Sequence, residues 1–219
     1  KVSSEEGTPQ GGPLSPLLAN VLLDEVDREL ERRGHRFVRY ADDCNVYVRS
    51  QKAGERVLGG LRKLYDRLHL KVNDSKTAVA GAYGRKFLGY CLWRAAGGEV
   101  KRAVAFKALD TFKRRIRQIT RRKGGRSLSE VADELQRYLP GWKAYFRLAQ
   151  TPRVFRALDE WLRHRLRALQ LKHWRRGTTI YRELRALGAS RDQAARVGGN
   201  ASRWWHNSRL ELNRLLPIA

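Results

Sequence analysis

The residues best suited to chemistry lie near the start of this 219-residue sequence. Tyr40-Ala41-Asp42-Asp43 falls between two β-rich runs, Phe37-Val38-Arg39-Tyr40 and Val46-Tyr47-Val48. Neighbouring residues of a plain strand point to opposite faces, so adjacent aspartates there diverge, whereas at a hairpin tip both project from the same end. Two carboxylates held together repel, and a divalent cation relieves that cost; Mg²⁺ favours carboxylate oxygens together with substrate phosphates. An ordinary acidic turn is the plainer alternative, because Asp and Asn are common turn residues.

The surrounding elements must hold that tip in place. Upstream, Gly7-Thr8-Pro9-Gln10-Gly11-Gly12-Pro13 is a Gly/Pro turn feeding a helix over 13–33, with Leu14, Leu17, Leu18, Val21, Leu22, Val26 and Leu30 at spacings of three and four. The unpaired N–H groups at its start suit a phosphate or a base. Gly34 closes the helix, and Ala41–Asn45 reads as the loop of a hairpin. A second helix spans about 52–69. His69-Leu70-Lys71-Val72-Asn73-Asp74-Ser75-Lys76-Thr77 follows it, and short strands are expected at 77–80 and 86–93, the latter containing Phe87-Leu88-Gly89-Tyr90. Helices packed on an antiparallel sheet make this half α+β.

The second half reads as helical: 105–122, 128–139 behind a Ser127-x-x-Glu130 capping box, a short aromatic helix from Gly141-Trp142, 152–172 behind Thr151-Pro152, and 181–187 ending at Gly188. Charge separates the halves. Residues 1–99 hold 17 Lys+Arg and 13 Asp+Glu, net +4; residues 100–219 hold 29 and 9, net +20. The change near Gly97-Gly98 places a domain boundary there, 1–98 and 99–219. A formal +24 overall implies a polyanionic partner, and nucleic acid is the usual one. Arg114, Arg117 and Arg121 on one helix, and Arg153, Arg156, Arg163 and Arg167 on another, form stripes suited to RNA phosphates, with Trp174, Trp204 and Trp205 among the arginines. A single stripe of this kind is ordinarily a solvated face. No apolar run reaches the ~18–20 residues of a membrane span and no secretory signal is visible, which points to a cytoplasmic protein. Cys44 and Cys91 cannot build a disulfide framework, and the five histidines show no ligand spacing.

Taken in order, PQGGPLSPLLANVLLDEVD, FVRYADD, the Leu70–Thr77 run and FLGY resemble the palm blocks of reverse transcriptases, closest to those of bacterial group II introns. Leu139-Pro140-Gly141-Trp142-x-x-Tyr145-Phe146 and Val154-Phe155-x-x-Leu158-Asp159-x-Trp161 resemble the thumb and maturase-specific domain of the same proteins, so the likeness covers nearly the whole chain. It implies a partial reverse-transcriptase palm followed by an all-α thumb and maturase domain. It further implies phosphoryl transfer from dNTPs to a DNA primer on an RNA template, assisted by two Mg²⁺ ions. By this likeness Asp42 is a metal ligand and Asp43 a second, less direct one. A third carboxylate is expected from a strand preceding the PQG block, with this chain a piece of a longer protein that is inactive by itself. Gln10 and Gly11 would lie near nucleotide and template, Tyr40 at the primer terminus, and Phe87, Leu88 and Gly89 along the primer. Lys76 would protonate or pair with the leaving pyrophosphate. The parent would copy RNA into DNA and help group II intron RNA fold and splice. Two alternatives stay open: a non-catalytic RNA-binding splicing chaperone, and a CRISPR-associated or phage-defence reverse transcriptase.

Overall fold

The computed structural model describes residues 12–122, 125–209, 212 and 216, so Gln10 and Gly11 lie outside the described residues. The chain divides into two compact units, Lys1–Ala82 and Tyr83–Ala219. It is mixed α+β, with two small antiparallel sheets and helices around them.

The first unit is α1 (Ser15–Arg32), β1 (Arg36–Tyr40), β2 (Asp43–Tyr47) and α2 (Gln51–Arg67). Gly34, at φ +70°, ends α1 as expected, and the Ser50 hydroxyl accepts from Ala53 N at 3.2 Å to start α2. Leu23, Val26 and Leu30 of α1 pack with Leu64 of α2, and Phe37, Cys44, Val46 and Tyr65 close over them. Leu14, Leu17, Leu18 and Val21 share the same periodicity yet are exposed, because among the described residues the first core packs against the C-terminal half of α1. The expected strand at 77–80 is absent: these residues pair with no ladder and instead lie on α2, where a side chain at Gly54 would meet Val79 Cγ1 at 2.5 Å.

The second unit opens with β3 (Lys86–Phe87), β4 (Tyr90–Arg94) and β5 (Val100–Val104), an antiparallel sheet in the order β3-β4-β5. Its helices are α3 (Phe106–Ile119), α4 (Leu128–Tyr145), α5 (Pro152–Trp174), α6 (Gly177–Ala186), α7 (Arg191–Gly199) and α8 (Trp204–Asn207). The part after Gly98 is therefore not purely helical. Gly97-Gly98 lies in the connection between the paired strands β4 and β5, while the compact units part between Ala82 and Tyr83. Charge and packing divide the chain at different points because charge tracks surfaces and a unit is defined by its core.

Phe112, Ile116 and Ile119 of α3, Val131 and Leu135 of α4, and Leu158, Leu162, Leu166 and Leu169 of α5 form one core; Leu171, Ile180, Leu184, Ala194 and Val197 form another. The capping box at Ser127 and Glu130 is made in both directions. The helix expected to stop at Leu139 runs through Pro140 to Tyr145. A proline inside a helix removes one hydrogen bond and costs about 3 kcal/mol, and here Trp142 against Phe112, with ring centroids 4.3 Å apart, and Phe155, at 5.9 Å, packs the last turns firmly. Thr151 occupies the N-cap position of α5, but its hydroxyl makes no capping bond and is buried without a partner among the described residues. α7 carries a second capping box, Ser190 with Gln193, that the sequence reading passed over.

Arg39 couples the β1–β2 hairpin to α1. Its Nε and NH2 donate to both carboxylate oxygens of Asp27 at 2.6–2.9 Å, and NH1 donates to Asn20 Oδ1 and to the Ala41 carbonyl, each at 3.0 Å. The two charged side chains are only 13% and 21% exposed, so the pair is largely desolvated and its planar, multi-pronged geometry suits Arg alone. Asp27→Asn leaves the guanidinium charge uncompensated and should cost roughly 1–3 kcal/mol, read as a lower urea midpoint at constant slope. Arg39→Lys should recover little of that stability, because an ammonium cannot reach Asp27, Asn20 and Ala41 together. In the second unit α6 and α7 touch through bare backbone: a Cβ on Gly198 would sit 2.8 Å from the Gly177 carbonyl oxygen. Gly198→Ala should destabilise by about 1–3 kcal/mol, whereas Gly59→Ala, in α2 with open space around it, should be neutral or stabilising in the same melting experiment.

Candidate active site and nucleic-acid interface

The β1–β2 hairpin is tighter than the spacing implies. The register runs from Arg36↔Tyr47 to Tyr40↔Asp43, so only Ala41 and Asp42 form the turn, and Asp43, Cys44 and Asn45 already belong to β2. Ala41 takes φ +52°, a left-handed conformation that a non-glycine residue adopts at a cost of about 1–3 kcal/mol and that clusters at functional sites. The Arg39–Ala41 hydrogen bond holds this turn. Asp42, Asp43 and Tyr40 are exposed, and neither carboxylate has a hydrogen bond or ion pair among the described residues. Beneath them Cys44 is half-buried among the packing residues of the first core; burial raises its thiol pKa, with the Asp27 charge adding to the effect, so it stays protonated and unreactive at neutral pH.

Two free carboxylates on a clamped turn are a hard-oxygen donor pair, which fits part of a Mg²⁺ ligand set, since Mg²⁺ keeps waters and takes one or two carboxylates besides substrate phosphate. No group of three His, Cys, Asp or Glu side chains able to hold a metal occurs among the described residues, so the pair is incomplete as a two-ion site. Lys76, in the same unit, is exposed on a turn in which Lys76 N and Thr77 N donate to the Asn73 carbonyl at 3.1 and 3.0 Å. An Arg62–Asp74 ion pair ties that turn to α2.

Phe87-Leu88-Gly89-Tyr90 forms a second tight hairpin, in the other unit. Leu88 and Gly89 are its two central residues, at φ +49° and +78°, the left-handed pair of a type I′ turn. A Cβ on Gly89 would also press on the Phe146 ring, 3.2 Å away. The Tyr145 hydroxyl donates to the Leu88 carbonyl at 3.0 Å, and the Tyr90 hydroxyl donates to the Tyr145 carbonyl. Phe87 is half-buried, while Leu88 is exposed at the turn.

Of the expected cation stripes, Arg114, Arg117, Arg121, Arg153, Arg156 and Arg163 are exposed; Arg163 pairs with Asp159 at 3.0 Å, one turn back. Arg167 is a correction. Only 5% of it is exposed, and its Nε donates to the Ser208 carbonyl at 3.1 Å, so it is a structural arginine closing α5 against the segment after α8, out of reach of RNA. By the 3.6-residue period position 167 keeps to the face of Arg156, Glu160 and Arg163; it is buried because the segment that ends α8 covers that part of α5. Trp174 and Trp204 pack against the second helical core, and Trp205 stacks on His164 at 3.7 Å between centroids. The sequence reading missed Arg39 with its partners Asp27 and Asn20, and it missed Arg165. A lone arginine inside an apolar strand pattern was the available signal for the first; nothing in the helical spacing marked the second.

Among the described residues no helix is long and apolar enough to cross a membrane. Residues 1–92 match the reverse transcriptase (RNA-dependent DNA polymerase) family, and residues 109–188 match the group II intron, maturase-specific domain. The retron Ec86 reverse transcriptase of Escherichia coli is 32% identical over 77 residues, which is 33% of this chain and 24% of that protein, so the chain spans about a quarter of this curated relative. A reverse-transcriptase region with its carboxylate-bearing hairpin, followed by a maturase-specific region, places the chain in the group II intron reverse transcriptase/maturase family.

Proposed function

We propose that this chain serves an RNA-directed DNA polymerase that also binds and helps splice the RNA of a group II intron. The observation that carries the catalytic half is the hairpin: a left-handed Ala41, its carbonyl clamped by Arg39, presenting Asp42 and Asp43 without a partner among the described residues. A solvated acidic turn has no need of a strained non-glycine residue held by a desolvated ion pair. Asp42 and Asp43 would hold Mg²⁺ together with a carboxylate from outside the described residues; the metal supplies charge stabilisation for phosphoryl transfer from a dNTP. The chain's own groups then divide the work. Tyr40 flanks the carboxylates at the primer end, Lys76 offers its proton or charge to the departing pyrophosphate, and Phe87, Leu88 and Gly89 line the primer strand. Gln10 and Gly11 serve nucleotide and template. The arginines of α3 and α5, Arg114, Arg117, Arg121, Arg153, Arg156 and Arg163, carry intron RNA. Functionally the division is palm over 1–98 and thumb with maturase domain over 99–219.

In a full reverse transcriptase carrying this chain, Asp42→Asn keeps size and shape but removes the anchoring charge, and primer extension on an RNA template should fall by orders of magnitude while RNA affinity stays within about twofold. Extension at near wild-type rate would reduce the hairpin to an ordinary turn. Loss of RNA binding as well would show that the two halves do not act independently. For the 219-residue chain alone, log K for structured RNA should fall steeply and linearly with log[salt], with a slope near −0.9 for each phosphate neutralised on duplex DNA and comparable on RNA. Arg156→Glu with Arg163→Glu should weaken binding without unfolding α5; a flat salt dependence contradicts the RNA-binding assignment.

A further inference from the structure

The second unit contains a cluster of cations that no acid among the described residues compensates. Arg165, on α5, is half-buried: its Nε donates to the Thr120 hydroxyl at 2.7 Å and its NH2 reaches the Thr120 carbonyl at 3.4 Å. A guanidinium has five N–H donors, so those two bonds leave three without an acceptor among the described residues. Arg165 and Arg117 both lie over the Trp161 ring, at 5.3 and 5.6 Å from its centroid, and Arg122 lies 5.9 Å from the Trp205 ring. None of the three arginines has a salt bridge among the described residues, whereas Arg115 and Arg126 on the same side of the sequence share Glu134. Burial, and then the nearby charges of Arg122 and Arg117, lower the Arg165 pKa to about 10.

Like charges gathered against aromatic rings, part-desolvated and without a carboxylate, raise the energy of the free protein unless an anion completes them. Contact with the indole rings helps to hold the guanidinium groups in place, which lowers the entropy cost of gripping a ligand. Arg fork geometry matches the two free oxygens of a phosphodiester. We infer that Arg117 and Arg165, set on Trp161, and Arg122, set on Trp205, form a seat for the phosphate backbone of RNA that reads no base sequence. This rests on the RNA-binding reading above and names a point of attachment within it, one that draws on Arg165 and Arg122 rather than on the outward stripe of α5.

The test uses the 219-residue chain and two mixed-sequence RNA duplexes of unrelated sequence, titrated at several salt concentrations. Arg117→Gln with Arg122→Gln alters side chains that are solvent-accessible, so the helices should keep their circular dichroism. The control, Arg137→Gln with Arg182→Gln, removes the same charge from exposed positions outside the cluster. The seat predicts about a tenfold or larger drop in affinity for the cluster pair on both duplexes, with the salt slope shallower by about two, one for each phosphate that is no longer neutralised. The control should weaken binding by less than about threefold. Arg165→Lys, which keeps charge but not the fork, should lower affinity in the same direction. Equal effects from cluster and control pairs, or a cluster effect confined to one duplex, would overturn the inference. Wild-type protein that binds neither duplex would instead sink the RNA-binding reading itself.

Discussion

Uncompensated positive charge is the constraint around which the second unit is organised. With 29 Lys+Arg against 9 Asp+Glu after residue 99, most cations there have no acid to pair with. The helices respond in three ways. Some arginines stand in water on the outer faces of α3 and α5, where repulsion is screened. A few are absorbed by backbone carbonyls, as Arg167 is by Ser208 and Lys172 by Arg122. Others lie over indole rings: Arg117 and Arg165 on Trp161, Arg122 on Trp205, and Lys172 also on Trp204 at 5.2 Å. An aromatic face attracts a cation without neutralising it, so the field stays available to an external polyanion.

The two hairpins share a device. Each is a two-residue turn with a non-glycine residue forced into the left-handed region, Ala41 in one and Leu88 in the other. In each, a side chain donates to the carbonyl of that residue: Arg39 NH1, from the hairpin's own first strand, to Ala41, and the Tyr145 hydroxyl, from α4, to Leu88. Strained backbone persists only where the surroundings over-determine it. Here the over-determination comes from a desolvated Arg39–Asp27 pair in the first unit and from the Tyr90, Tyr145, Phe146 and Trp142 rings in the second. A turn held this way keeps its exposed residues in one arrangement, which is what positioning a phosphate or a primer requires.

Much of this was legible in order and spacing. The helices at 15–32, 51–67, 106–119 and 152–174 follow from apolar periodicity, and the capping box at Ser127 from local hydrogen-bond chemistry, because both depend on residues within one or two turns of each other. The blocks around Asp42 and Asp43, and the maturase-like aromatic pattern, were likewise readable as motifs. Tertiary structure decided what depends on partners distant in sequence. The exposure of Leu14, Leu17 and Val21 depends on what the first unit supplies to cover α1; the persistence of α4 through Pro140 depends on Phe112 and Phe155; the withdrawal of Arg167 to the interior depends on Ser208, 41 residues away. The same holds for the Arg39 clamp, whose partners lie 12 and 19 residues back, and for the cation cluster, which joins α3, α5 and α8. The sequence alone thus determined which residues are chemically able, since side-chain identity and local period are encoded in neighbours. Which of them face solvent, which are clamped and which are left without a counter-charge was decided only by packing, because burial and pairing are properties of surfaces that the chain assembles from separated segments.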